Sequence, residues 1–125
     1  MTEAVVLQLE RFLITISNNN YSSLGRFYAA DVEYIHTLIG ISVRGRKNAV
    51  EAGGQNSALA LLRRTSNVRV FPNGTGQFVL RVRVEYVVRR ATGELVVVPT
   101  NAKLTWKFVR GAMNPVISRL EVMPI

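Results

Sequence analysis

The sequence contains residue types that can do general acid–base chemistry, among them two acidic residues and an arginine. Arg83 and Glu85 are separated by one residue, and Glu121 lies close to the last residue of the sequence. A carboxylate can take a proton from water, a carboxylic acid can protonate a departing oxygen, and an arginine between two carboxyl groups can hold both. Tyr34 and His36 are also two positions apart, and the imidazole adds a group that titrates near neutral pH.

The remaining residue types argue against several other kinds of site. Because the sequence has no cysteine and a single histidine, we expect no disulfide framework, no thiol nucleophile and no histidine-based metal centre. No serine stands in a nucleophile-elbow setting. The glycines within residues 73–76 precede no helix pattern, so they indicate a hairpin and not a phosphate loop. We therefore expect no metal and no other cofactor.

Hydrophobic periodicity predicts three helices in the first half of the chain. An apolar stripe at helical spacing runs from Val5 to Ile16, and the asparagine-rich run after it ends the first helix. A short second helix follows. The third helix opens at residues 45–48, and Arg63 and Arg64 then stand where the C-terminus of a helix favours cations.

Alternating apolar residues predict strands elsewhere. Residues 31–37 are rich in strand-forming types, whereas residues 38–44 are expected to form a loop. Glycine-containing turns, among them the one at residues 91–93, are typical of hairpins between such strands. The antiparallel strands predicted after the third helix span residues 68–71, 78–88, 94–109 and 116–123.

This order of elements predicts an α+β fold, with residues 1–125 forming a single domain. Three N-terminal helices pack on one face of a curved, mostly antiparallel sheet, and together they form a cone with an internal pocket. Pockets of that kind bind small, largely apolar molecules.

Strand alternation leaves two orientations of the acid–base residues open. Arg83 and Glu85 share one face of their strand, and Val82 and Val84 share the other. In the default orientation the apolar face points inward and the charged residues form a surface pair of little energetic value. In the reverse orientation the charged face lines the pocket, and the apolar face must then be buried in a homodimer that forms through the sheet.

Parts of the sequence resemble nuclear-transport-factor-2-like domains. Residues 24–34 are similar to the second helix and first strand of that superfamily, and residues 45–50 are similar to the start of its third helix. Within it, the chain resembles SnoaL-like and limonene-1,2-epoxide-hydrolase-like members. The latter carry Tyr and Asn two apart on the first strand, where Tyr34 and His36 stand here, and Arg-x-Asp on a middle strand, where residues 83–85 stand. Their second Asp corresponds to Glu121.

The resemblance implies a hydrolase that adds water to a small lipophilic epoxide. Glu121 would be the base, Tyr34 and His36 would orient the water, Glu85 would be the acid and Arg83 would bridge the carboxyl groups. The alternative is a non-catalytic ligand-binding or protein-interaction module of the same fold. The ligand-binding residues predicted for the pocket are Val87, Val98, Thr100, Leu104 and Trp106.

A net charge of +8 makes acidic partners a further hypothesis. Binding to nucleic acid is not favoured, because such proteins usually expose aromatic residues for stacking and the aromatics here occupy core positions. The sequence has no apolar run long enough to span a membrane, and Glu3 and Glu10 stand where a signal peptide would carry positive charge. We therefore expect a cytoplasmic protein whose ligand is a small lipophilic molecule.

Overall fold

A computed structural model describes the backbone of residues 2–18, 20–72 and 77–125, and within them the side chains of all residues except 2, 17 and 55–72. This part of the chain contains two α-helices, α1 (Thr2–Ser17) and α2 (Arg46–Leu59), and one 3-10 helix, η1 (Tyr21–Phe27). Its strands are β1 (Tyr28–His36), β2 (Ile41–Arg44), β3 (Ala60–Pro72), β4 (Gln77–Arg89), β5 (Leu95–Lys107) and β6 (Val116–Pro124).

The strands form one mixed sheet in the order β2-β1-β6-β5-β4-β3. The last four strands in sequence are antiparallel neighbours, as predicted, and β1 lies parallel to β6. The chain reverses between β4 and β5 at Gly93, whose φ of +86° suits glycine. The amide of Arg90 donates to the carbonyl of Glu94 at 2.8 Å and closes this hairpin. The predicted α+β class and the antiparallel meander are therefore confirmed.

Helix α1 lies against the sheet through the apolar stripe that the sequence predicts. Val5, Leu9 and Phe12 are buried, and Leu13 and Ile16 pack against the same core while remaining partly exposed. Burying large apolar side chains contributes roughly 1.5–3 kcal/mol each, which exceeds what helix propensity alone supplies. The helices thus cover one face of the sheet, which we call the inner face; the opposite face is the outer face.

Two predicted boundaries were wrong. Residues 38–44 were expected to be a loop, but Ile41–Arg44 forms β2, which pairs with β1 at the edge of the sheet. Arg63 and Arg64 were placed at a helix C-terminus, whereas α2 ends at Leu59 and both arginines lie within β3. The long β4 offers backbone partners along nearly all of β3, so the ladder extends to Ala60. The hairpin predicted at residues 73–76 lies outside the described residues.

Candidate functional site

A cavity lies between the helices and the inner face of the sheet. Its volume is about 30 Å³, which is room for about two water molecules. Helix α1 supplies one wall, and the sheet supplies the other through side chains of β1, β4, β5 and β6. The sheet residues that line it are Tyr28, Tyr34, Val82, Val84, Tyr86, Ala102, Leu104, Leu120 and Val122.

The polar groups in the cavity wall are phenols. Tyr21, Tyr28, Tyr34 and Tyr86 all line the cavity, and no charged side chain does so among the described residues. Burial raises the pKa of Tyr28 well above its ordinary value, and the nearby Tyr34 and Tyr86 raise it further. The cavity therefore offers neutral hydrogen-bonding groups in an apolar wall.

His36 stands beside this cavity without lining it. Its side chain is 0 % exposed, and its ring lies 6.4 Å from that of Tyr34 and 5.2 Å from that of Tyr86, centroid to centroid. Neither ring nitrogen has a hydrogen-bond partner in the described part of the chain. Burial lowers the pKa of His36 to about 4, so the imidazole is neutral at pH 7 and has one donor and one acceptor to offer.

Arg83, Glu85 and Glu121 do not meet at the cavity. Arg83 and Glu85 alternate with the buried Val82 and Val84 along β4 and therefore belong to the outer face. Glu121 alternates with buried residues of β6 in the same way. The expectation that these three groups converge on one water in the pocket is not met. Burying the valines lowers the free energy of the folded state. Burying an arginine and two carboxylates would raise it, because these groups would lose hydration that the cavity cannot replace.

Glu121 instead takes part in a charge network on the outer face. The guanidinium of Arg119 donates to Glu121 and, through Nη1, to Oε2 of Glu33 at 2.8 Å. The other carboxylate oxygen of Glu33 accepts from Nη2 of Arg44 at 2.7 Å. These pairs join β6, β1 and β2 across their exposed face. Such a network holds strands together and is directed away from the cavity.

The predicted ligand-binding residues are divided between the two faces. Leu104 lines the cavity, and Thr100 and Trp106 are buried on the same inner face of β5 without lining it. The hydroxyl of Thr100 donates to the carbonyl of Val84 at 2.8 Å, so it holds β5 to β4. Val98 follows the same alternation near the start of β5. Val87 shares the outer face with Arg83 and Glu85, so its assignment to the pocket was wrong.

Several residues that line the cavity were not predicted from the sequence. Tyr86 lies on the same face of β4 as Val82 and Val84. The default orientation, with the apolar face inward, would therefore have placed it in the cavity. Tyr28 and the helix residues Leu13, Ile16 and Tyr21 line the cavity as well. Their contribution depends on how the helices dock, which periodicity does not specify.

The inward direction of the apolar face also removes the argument for a dimer. The expected homodimer through the sheet was argued from valines of β4 that point outward, whereas these valines are buried beneath the helices; the homodimer itself stays a prediction. No group of His, Asp and Glu side chains suited to hold a metal ion is found within the described residues. None of the helices in that part of the chain is long and apolar enough to cross a membrane.

Comparison with solved structures identifies the fold. A protein with a cystatin-like fold from Caulobacter vibrioides superimposes with a TM-score of 0.84 at 12 % identity, covering 99 % of this chain and 89 % of that one. A putative dehydratase of the NTF2-like family from Streptomyces avermitilis gives 0.79 at 13 % identity, with 99 % and 96 % covered. The hexachlorocyclohexane dehydrochlorinase LinA-type3 from Novosphingobium barchaimii gives 0.80 at 12 % identity, with 98 % and 85 % covered.

No protein-family model and no curated protein sequence matches the chain. The structural likeness defines it as an α+β protein with the cystatin-like fold. This is also the fold of the NTF2-like protein from Streptomyces avermitilis, as the resemblance in sequence implies. Because this fold supports many unrelated activities, function has to be argued from the cavity and its residues.

Proposed function

We propose that this domain binds a small, largely apolar molecule in the cavity, and that the polar group of the ligand reaches between Tyr34 and Tyr86 to bond with His36, which lies just behind the cavity wall. The observation that carries the proposal is a fully buried imidazole whose two ring nitrogens have no hydrogen-bond partner among the described residues. A buried polar group without a partner costs roughly 1–3 kcal/mol. A ligand that supplies the missing hydrogen bond recovers that free energy, so the site favours a molecule with one hydroxyl or carbonyl group.

The size of the cavity bears on how such a ligand enters. At about 30 Å³ the cavity is smaller than a single aromatic ring requires, so side chains must move as the ligand binds. Leu13 and Ile16 line the cavity and are only partly buried, which makes them the side chains that can move at least cost. We expect the ligand to enter between these residues and to place its polar end between Tyr34 and Tyr86.

Water addition to an epoxide is not supported by the arrangement of the acidic residues. The proposed base, Glu121, and the proposed acid, Glu85, lie on the outer face, away from any ligand in the cavity. A catalytic form of the site would instead use His36 as a proton acceptor in an elimination, in which a base removes a proton from carbon as the leaving group departs. Two of the similar structures, the putative dehydratase and the dehydrochlorinase, are named for reactions of that class.

Binding is the proposal we favour between the two, because of the environment of the histidine. A pKa of about 4 makes His36 a weak base, and efficient proton transfer needs a base with a pKa near the working pH. No buried carboxylate is found among the described residues to raise it. The neutral imidazole is better suited to hydrogen bonding than to proton abstraction.

Two probes that differ by one hydroxyl group test the role of His36. We expect phenol to shift the methyl NMR signals of Val84 and Leu104 at a concentration about tenfold lower than benzene does, because only phenol can bond to the imidazole. In the His36→Leu variant the two probes should bind alike. Equal affinities in the native protein, or a preference for phenol that survives the substitution, would contradict the proposal.

A matched pair of substitutions on β5 tests the location of the site. Ala102 lines the cavity and its neighbour Asn101 is exposed on the outer face. We expect Ala102→Leu to fill the cavity and to abolish phenol binding, whereas Asn101→Leu leaves it unchanged. Thermal unfolding of both variants shows that the fold is intact. If Ala102→Leu unfolds the protein, the smaller Ala102→Val serves instead, with an expected loss of at least fivefold.

A further inference from the structure

A second, polar cleft lies apart from the apolar cavity. It is formed by α1, the end of η1 and the loop between β5 and β6, and its volume is about 340 Å³. Its lining residues are Gln8, Arg11, Arg26, Phe27 and Asn114. None of these is acidic, and the proposed function assigns no role to any of them.

Both arginines of the cleft are held in place without a carboxylate partner in the described part of the chain. Nη1 of Arg11 donates to Oε1 of Gln8 at 3.2 Å, and Nη2 of Arg26 donates to the hydroxyl of Thr15 at 3.5 Å. The guanidinium carbon of Arg26 also lies 4.8 Å from the centre of the Phe27 ring, a cation–π arrangement. Two positive charges are thus positioned here and not neutralised.

Other arginines of the protein show the contrast. Arg44 and Arg119 on the outer face are both bound to Glu33, at 2.7 Å and 2.8 Å. The positive charges of these two arginines are compensated by a carboxylate of the chain. In the cleft the compensating charge has to come from elsewhere.

The other polar groups of the cleft also favour an anion. The side chain of Gln8 is only 6 % exposed, and because its oxygen accepts from Arg11, its NH₂ group is what it can offer to a ligand. Asn114 carries a second amide in the loop opposite. Arginine presents a planar fork of donors that matches the oxygens of a phosphoryl or carboxylate group.

We infer that this cleft binds a small organic molecule through an oxyanion, which is either a phosphoryl or a carboxylate group. The guanidinium groups of Arg11 and Arg26 hold the oxyanion, and Gln8 and Asn114 donate further hydrogen bonds. A volume of about 340 Å³ leaves space for an organic portion beyond the oxyanion. The cleft is thus a second ligand site, of opposite character to the apolar cavity.

Titration with inorganic phosphate and with acetate tests the site directly. The side-chain NH₂ signals of Gln8 and Asn114 are followed by NMR, with sodium chloride used to keep the ionic strength constant. We expect saturable shifts of both signals. Tighter binding of phosphate assigns the site to a phosphoryl group, and tighter binding of acetate assigns it to a carboxylate. Failure of both anions to shift these signals overturns the inference.

Charge-matched variants separate a built site from the general positive charge of the protein. Arg11→Gln and Arg26→Gln should each weaken anion binding about tenfold, as expected for loss of one charge-assisted hydrogen bond. The control is Arg90→Gln, an exposed position in the β4–β5 turn at the far end of these strands from Asn114. It removes the same charge and should change the affinity less than twofold. Equal losses in all three variants would show that bulk charge alone attracts the anion.

Discussion

The rings of His36 and Tyr86 pack edge to face, with centroids 5.2 Å apart and planes inclined at 62°. These residues belong to β1 and β4, and two further strands, β6 and β5, lie between them. In a flat sheet that separation would be roughly 14 Å, because neighbouring strands are about 4.8 Å apart. The sheet must therefore curve around the cavity, and this curvature brings the imidazole into contact with the cavity wall.

The burial of His36 makes the stability of the protein depend on pH. Because the folded-state pKa is about 4 and the ordinary value is 6.5, the unfolded chain binds the extra proton first as the pH falls. The free energy of unfolding therefore has its full value above pH 6.5 and decreases progressively as the pH falls towards 4. The loss is on the order of 3 kcal/mol over this range. Urea denaturation at pH 7.5, 6, 5 and 4.5 measures it.

The control for this prediction is His36→Leu, which removes the only histidine of the chain. This variant should be at least as stable as the native protein at pH 7.5, because an unpartnered polar group is replaced by an apolar one of similar size. Its stability should change little between pH 7.5 and 6, where carboxyl groups contribute almost nothing. A decline equal to that of the native protein would place the titrating group elsewhere.

Two adjacent glycines of α2 offer a test of how tightly this helix packs. A methyl group at Gly54 would meet nothing within 4 Å, whereas one at Gly53 would lie 3.1 Å from Cδ1 of Leu24 and 3.4 Å from Cδ1 of Tyr21. Gly54→Ala should therefore stabilise the protein by roughly 0.5–1 kcal/mol, as expected for alanine within a helix. The stabilisation by Gly53→Ala should be smaller than that by Gly54→Ala by about 1 kcal/mol, because Leu24 is buried and must move.

Thermal and urea unfolding of the two alanine variants measure this difference. Gly53 also lines the cavity, so Gly53→Ala should weaken phenol binding while Gly54→Ala should not. Equal stabilities for the two variants would show that Leu24 moves without cost, and the close approach of α2 to η1 would then not constrain the site.

The sequence was sufficient to predict most of the elements, β2 and the first part of β3 excepted, but not the direction of every face. The spacing of Val5, Leu9 and Phe12 predicts α1, and alternation predicts β4, because burial imposes a period of 3.6 in helices and of 2 in strands. A period of 2 defines two faces without saying which one is covered. Aligning Arg83 and Glu85 with the motif of an epoxide hydrolase selected the charged face. A shift of one residue in such an alignment moves every side chain to the opposite face.

The environment of His36 could not be predicted for a different reason. Its burial depends on Tyr86, which lies fifty positions further along the chain, and on a curvature of the sheet that local propensity does not encode. Because Tyr34 and His36 are two positions apart on β1, alternation does predict that they share a face, and both side chains are buried. That the imidazole has no hydrogen-bond partner within the described part of the chain follows from the packing of several strands and not from the local sequence.

The charge network on the outer face predicts that Arg119 and Lys107, which both form ion pairs, contribute differently to the stability of the protein. Arg119 lies between Glu33 and Glu121, whose side chains are 33 % and 17 % exposed, whereas Lys107 lies 3.6 Å from Asp31, which is 77 % exposed. We expect Arg119→Gln to destabilise the protein by about 1–2 kcal/mol, because it leaves two partly buried carboxylates without their shared cation.

Lys107→Gln is the matched control and should cost less than about 0.5 kcal/mol, as is usual for an exposed pair. Urea denaturation at low and at high salt measures both variants. The difference between native protein and Arg119→Gln should persist in part at about 1 M sodium chloride, because partly buried charges are screened less than exposed ones. Since the network faces away from the cavity, Arg119→Gln should leave phenol binding unchanged. A loss of phenol binding in this variant, with the fold intact, would show that the outer face acts on the ligand site after all.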